Sequence, residues 1–181
     1  MINYPLGINQ KQRTINHKNR GMSLESLINK TNDYYSFNKL ALIYKKATPI
    51  KIISTNGESK ITKAIFSQHS TTDYVGVYKG KYLDFEAKST NKTTSFPMSN
   101  FQTCQIAHFK KVIEQQGLAF VIIQFTKLSK FYLLMVNEIF DFIEKTKKKS
   151  LPLSFVSTSG YEIKIKIAPP LDFLKIIDAF L

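Results

Sequence analysis

Apolar positions along the chain recur with two different periods. Leu24, Leu27, Ile28, Thr31 and Tyr35 fall every three or four residues, the spacing of a helix that buries one face. Ser23 stands where such a helix needs an N-cap, so a helix to about Phe37 is predicted. Leu40 to Lys46 reads as a strand, and Ile50 to Ser54 as an extended run leading to an Asn56-Gly57 turn. Lys60 to Ser70 leads back. Thr71 to Tyr78 and Lys81 to Lys88 form two strands around a tight Lys79-Gly80 turn.

Beyond them, Ser89 to Ser95 is a polar loop, and Ser99 or Asn100 caps a helix ending near Gly117. Leu118 to Phe125 and Phe131 to Val136 are continuous apolar runs, short enough for buried strands. Asn137 to Lys149 is a helix with a lysine-rich end. Glu162 to Ala168 is a short strand or edge segment, and Pro169-Pro170 is predicted to open a last helix. The expected fold class is therefore α/β, a mixed sheet flanked by helices. It occupies one domain, residues 22–181, preceded by a flexible basic arm at residues 1–21.

Charge narrows the function. The 181 residues hold 26 basic and 13 acidic side chains, a formal charge of +13. Such an excess attracts polyanions, nucleic acid foremost, with a membrane surface or ribosomal RNA as the other candidates. Arg13 and Arg20 are the only arginines, and both lie in the arm, where a guanidinium can fork onto a phosphate as lysine cannot. Cys104 is the only cysteine, which excludes an intrachain disulfide and fits a reducing compartment. No apolar run is long enough to span a bilayer and no signal-peptide pattern opens the chain, so a soluble cytoplasmic protein is expected.

The chemistry concentrates between Thr71 and Lys88. Side chains alternate along a strand, so Thr71 and Asp73 share a face, as do Glu86 and Lys88. A hairpin brings the two pairs together. Two carboxylates can hold hard divalent cations through oxygen, and a lysine beside them can stabilise charge on a scissile phosphate. The same residues also suit a solvated cross-strand ion-pair network, which is the commoner role of Glu-x-Lys. Gln105 can offer only an amide oxygen. His69 and His108 are candidate bases, though lone histidines more often serve structure. Lys145 to Lys149 suits a phosphate grip or a solvated helix end.

Asp73 with Glu86-Ala87-Lys88 resembles the PD-(D/E)xK nuclease signature. The surrounding words are more specific: Asn19-Arg20-Gly21-Met22-Ser23-Leu24-Glu25, Thr71-Thr72-Asp73-Tyr74, Gly76-Val77-Tyr78-Lys79-Gly80-Lys81-Tyr82 and Asp84-Phe85-Glu86-Ala87-Lys88. With Thr94-Ser95-Phe96-Pro97, Asn100-Phe101, Gln105-Ile106 and His108, they resemble the RecU family of Holliday-junction resolvases over almost the whole chain. Thr72 precedes Asp73 where the generic signature has Pro, and here the chain follows the RecU pattern.

The resemblance implies a restriction-endonuclease-like fold and a homodimer that makes paired nicks in four-way junction DNA during recombination and repair. It implies Mg²⁺, with Mn²⁺ as a substitute, at Thr71, Asp73, Glu86 and Gln105. Lys88 is implied as transition-state stabiliser, and Glu25 as an acidic residue near the site. Residues 50–70 correspond to a protruding stalk in which Lys60, Lys63 and Phe66 meet DNA, while Arg13 and Arg20 do so from the arm. A recombinase and branch-migration proteins are the implied protein partners, and no membrane is involved. Two other functions fit the same residues: a nuclease cutting ordinary duplex, and a junction-bridging protein without cleavage that modulates a recombinase.

Overall fold

The computed structural model describes residues 23–57, 60–67 and 71–181. The arm with Arg13 and Arg20, and His69, lie outside the described residues. Helix α1 (Leu24–Phe37) starts where its cap predicts: the Ser23 side chain accepts the Ser26 N–H at 3.2 Å. The helix buries Leu24, Leu27, Ile28, Thr31 and Tyr35, the stripe seen in the sequence.

Strands β1 (Leu42–Lys45), β4 (Tyr74–Tyr78), β5 (Lys81–Thr90), β7 (Leu118–Phe125), β8 (Lys130–Met135) and β10 (Tyr161–Glu162) form one sheet in the order β1-β4-β5-β7-β8-β10. The β5–β7 pair is parallel and every other pair is antiparallel, so the sheet is mixed. The β4–β5 turn places Lys79 and Gly80 at φ of 47° and 77°, the left-handed pair that a tight hairpin needs. At Gly76 a Cβ would lie 2.3 Å from the Leu42 carbonyl oxygen, so β1 can approach β4 only because no side chain intervenes.

Two cores sandwich the sheet. One packs Leu83, Phe85, Phe120 and Ile122 against α1 and the C-terminal segment around Leu171 and Phe173. The other packs Val121, Ile123, Tyr132 and Leu134 beneath α2 (Thr103–Glu114), α3 (Val136–Thr146) and α4 (Leu153–Ser159). A ribbon of β6 (Ser95–Pro97) and β9 (Ser150–Pro152) closes the end of that layer. Strands β2 (Ile50–Thr55) and β3 (Ile61–Phe66) form a separate two-stranded hairpin, every residue of it exposed. No helix among the described residues is long and apolar enough to cross a membrane.

Four expectations are corrected. Helix α2 starts after Gln102, not after Ser99 or Asn100, which lie in a 3-10 turn; Gln105 caps the helix by accepting the Gln102 N–H at 3.0 Å. Pro169-Pro170 opens no helix. The chain stays extended through Leu171, whose N–H is taken by Thr31 Oγ1 at 3.0 Å, and α5 spans only Leu174–Ile177. Of residues 162–168, only Glu162 joins the sheet, through β10, and Ile165 makes an isolated bridge to Leu171. The polar loop after Lys88 begins later than expected, because β5 continues to Thr90.

Candidate active site

Alternation along β5 puts Leu83, Phe85 and Ala87 toward α1. Tyr82, Asp84, Glu86 and Lys88 point toward α2. Extending the β4–β5 register by one residue sets Asp73 beside Glu86. The two are cross-tied: the Asp73 N–H donates to Glu86 Oε2 at 3.0 Å, and the Ala87 N–H donates to Asp73 Oδ2 at 3.2 Å. The other oxygen of Glu86 takes Lys88 Nζ at 2.8 Å and Gln105 Nε2 at 2.7 Å. Four sequence-predicted residues, Asp73, Glu86, Lys88 and Gln105, thus form one connected group.

Glu86 is 2% exposed. Its burial, then the neighbouring Asp73 carboxylate, push its pKa from 4.5 up to about 7, and Lys88 holds it from rising further. Two carboxylates that resist joint ionisation are what a divalent cation relieves. Among the described residues no group of three or more His, Cys, Asp or Glu assembles, so any cation here relies on two carboxylates with neutral oxygens beside them. That donor set is all oxygen and fits Mg²⁺ or Mn²⁺ rather than a thiolate- or imidazole-loving metal. Gln105 presents its amide N–H₂ to Glu86 and its oxygen to the Gln102 N–H, so direct ligation requires the amide to turn.

Thr71 is held from another direction. Lys46 Nζ donates to Thr71 Oγ1 at 2.6 Å and to Thr72 Oγ1 at 2.9 Å. Glu25 pairs with Lys45, and its carboxylate is half-exposed. It meets the cluster only through Tyr74, whose hydroxyl donates to the Glu25 carbonyl at 3.4 Å. Burial pushes that hydroxyl's pKa up, and Glu25, Asp73 and Glu86 add to the rise in that order. Lys60, Lys63 and Phe66 lie apart on the hairpin, with Phe66 78% exposed.

The sequence reading left out Asp84 and Lys46. Asp84 is wholly buried two residues before Glu86; its Oδ2 receives the Tyr82 hydroxyl at 3.0 Å and lies 2.8 Å from His108 Nε2. The period-two series Tyr82, Asp84, Glu86, Lys88 was the available signal. His108 contacts Asp84, which agrees with a supporting role over that of a base.

A family model described as recombination protein U, RecU, matches residues 19–179. The Holliday junction resolvase RecU of Streptococcus mutans is 44% identical over 98% of this chain and 96% of its own. That of Streptococcus thermophilus is 43% identical over 100% of this chain and 98% of its own. Among solved structures, an Archaeoglobus fulgidus Holliday junction resolvase, Hjc, is 14% identical with a TM-score of 0.45, covering 75% of this chain and 94% of its own. That last likeness is too slight to carry weight. The two RecU relatives and the family match, each spanning most of the chain, do carry it: the chain belongs to the RecU family.

Proposed function

We propose that this chain is a Mg²⁺-dependent endonuclease that resolves Holliday junctions, acting as a homodimer that nicks two opposed strands. The observation that carries the proposal is the Asp73–Glu86 carboxylate pair, cross-tied on adjacent strands with Lys88 on Glu86, in a +13 chain of the RecU family. The cytoplasm, where the DNA lies, is the expected setting, with recombinase and branch-migration proteins as partners.

Asp73 and Glu86, helped by Thr71 and Gln105, would hold the cation, which when bound lowers the pKa of water and neutralises phosphate charge. Lys88 is fixed beside Glu86, and its ammonium would stabilise the charge that grows on the scissile phosphate. The same ammonium sits 5.8 Å from the centre of the Phe101 ring, whose bulk limits where it can swing. Water oxygen bonds to phosphorus while the phosphodiester P–O bond breaks; the attacking water gives up a proton to solvent, and the leaving oxygen takes one from solvent. Glu25, bound to Lys45 and half-exposed, is an outer contributor to the field. Arg13 and Arg20 from the arm, with Lys60 and Lys63 from the hairpin, would contact phosphates without reading sequence. The exposed hairpin is the candidate stalk, and Phe66 on it is suited to stack at the open branch point.

The test is Asp73→Asn on labelled four-way junctions and matched duplex, with and without Mg²⁺. Cleavage should fall by about a hundredfold or more while junction binding persists. Full cleavage by the variant overturns the site. Equal cutting of duplex by the wild type makes the chain an ordinary duplex nuclease, and junction binding without cleavage by the wild type makes it a bridging protein.

A further inference from the structure

We propose that Lys46 is a positioning residue that holds the Thr71 hydroxyl until a divalent cation arrives and then transfers its ammonium to Asp84. Buried Asp84 thereby sets how readily the site loads. The inference rests on the reading of Thr71, Asp73 and Glu86 as the cation site.

Lys46 immediately follows β1, and its N–H donates to the Asp73 carbonyl at 2.8 Å. Its backbone is thus pinned beside a proposed ligand. Its ammonium has three donors. Two are spent on the neutral hydroxyls of Thr71 and Thr72, at 2.6 and 2.9 Å. The nearest carboxylate oxygen, Asp84 Oδ2, lies 3.6 Å away, beyond a good hydrogen bond.

Asp84 is the reverse case. It is 0% exposed, and Tyr82 and His108 both contact Oδ2, yet the buried Oδ1 has no hydrogen-bond partner among the described residues. Leaving a buried carboxylate under-matched is costly, and an ammonium moving onto its other oxygen, here Oδ2 at 3.6 Å, offsets part of that cost. The ammonium keeps only an ion pair with Asp84 at 3.6 Å and gives its short hydrogen bonds to the hydroxyls. It thus covers the oxygen that the cation needs.

An ammonium and Mg²⁺ cannot both sit on one small hydroxyl, because the two cations repel at contact distance. Loading therefore requires Lys46 to leave Thr71. A shift of about 1 Å brings Nζ within hydrogen-bond range of Asp84. The Gln105 amide must also turn if it is to ligate the cation directly. Among the described residues, Lys46 Nζ meets Thr71, Thr72 and Asp84, and the Asp84 carboxylate in turn meets Tyr82 and His108.

The experiment compares Asp84→Asn, Lys46→Met and the double variant in the full chain, with Asp73→Asn as reference. The melting temperature is titrated with MgCl₂ and separately with CaCl₂ in the absence of DNA. Junction cleavage is titrated in parallel. Asp84→Asn takes away the negative charge that draws the ammonium off Thr71, so Lys46 competes with the cation and the half-saturating concentration should rise about tenfold. Removing the competitor as well should bring the double variant back to within about threefold of wild type. Lys46→Met alone should load at or below the wild-type concentration.

An unchanged cation requirement in Asp84→Asn, or one that Lys46→Met does not rescue, overturns the proposal. If Asp84→Asn does not fold, Lys46→Met decides: a raised requirement overturns it and an unchanged or lowered one supports it. If Asp73→Asn keeps the cation-induced melting shift, the cation site itself is wrong. If Asp73→Asn loses that shift and Asp84→Asn behaves as wild type, only the Lys46 transfer fails.

Discussion

Glu86 links the chemistry of the site to the stability of the fold in a way that one substitution can isolate. Its carboxyl titrates near 7 in the folded chain against an ordinary 4.5. Between those values the folded state binds this proton and the unfolded state does not. Stability from Glu86 is therefore complete below about pH 4.5, declines as pH rises through the window, and levels off above about 7. The size follows from the same two values, about 3 kcal/mol across the window. Solvent screening takes little from that figure, because the side chain is 2% exposed. For a chain of 181 residues it corresponds to a melting temperature lower by roughly 6–12 °C at pH 8 than Glu86 alone would give at pH 4.5.

Glu86→Gln removes the titrating group and keeps its shape. In EDTA the variant should melt above the wild type at pH 8 and close to it at pH 5, while losing cleavage. Subtracting the two pH profiles cancels the contributions of carboxyls that do not interact with Glu86, leaving those of Glu86 and the Asp73 beside it. Saturating Mg²⁺ should raise the wild type more at pH 8 than at pH 5, because the cation takes the place of the proton, and should leave the variant nearly unmoved. Scanning calorimetry or dye-monitored melting reads all four conditions. Parallel pH profiles for wild type and Glu86→Gln in EDTA would refute the reasoning, since they would mean that Glu86 ionises as freely in the fold as in water.

Three further outcomes are expected. Lys88→Ala should cut junction cleavage by about a hundredfold or more with affinity little changed, measured by single-turnover kinetics beside a binding assay. Phe66→Ala should weaken junction binding roughly five- to a hundredfold, the worth of one base–aromatic stack of about 1–3 kcal/mol, and leave duplex binding and the melting temperature alone. Mixed dimers of wild-type and Asp73→Asn chains should nick one strand of a junction and spare the opposite one, scored on denaturing gels with each strand labelled; paired cuts would show that one site makes both.

Much of this arrangement is visible in the sequence where local rules act. The α1 stripe, its Ser23 cap and the Lys79-Gly80 turn all follow from spacing and backbone preference, and each appears as expected. The errors fall where long-range contacts override those rules. Gln is a poor helix cap by preference, but Gln105 is already fixed by Glu86 from the sheet, and its oxygen is left facing the Gln102 N–H. Pro169-Pro170 suits a helix start, but Thr31 and Tyr35 of α1 bind the following segment and keep it extended. The β6–β9 ribbon pairs segments of three residues from distant parts of the chain, too short for any periodic signal.

The site divides in the same way. Period-two alternation places Asp73, Glu86 and Lys88 together but says nothing of how wet they are. Their desolvation comes from β7, which pairs parallel to β5 and sets Ala119, Val121 and Ile123 beside Asp84, Glu86 and Lys88. On that side the carboxylates meet apolar core. On the other, Glu86 meets Asp73 across β4, a like charge. A solvated surface network would have met water on at least one side, and Glu86 would have kept ordinary acidity. The distinction between a solvated ion-pair network and the proposed cation site therefore rests on one neighbouring strand. The parallel pairing that brings that strand alongside β5 is a crossover through α2, and the same crossover delivers Gln105 to Glu86 and His108 to Asp84. Topology, more than any single motif, turns an ordinary Glu-x-Lys into a site with carboxylates that resist sharing their charge.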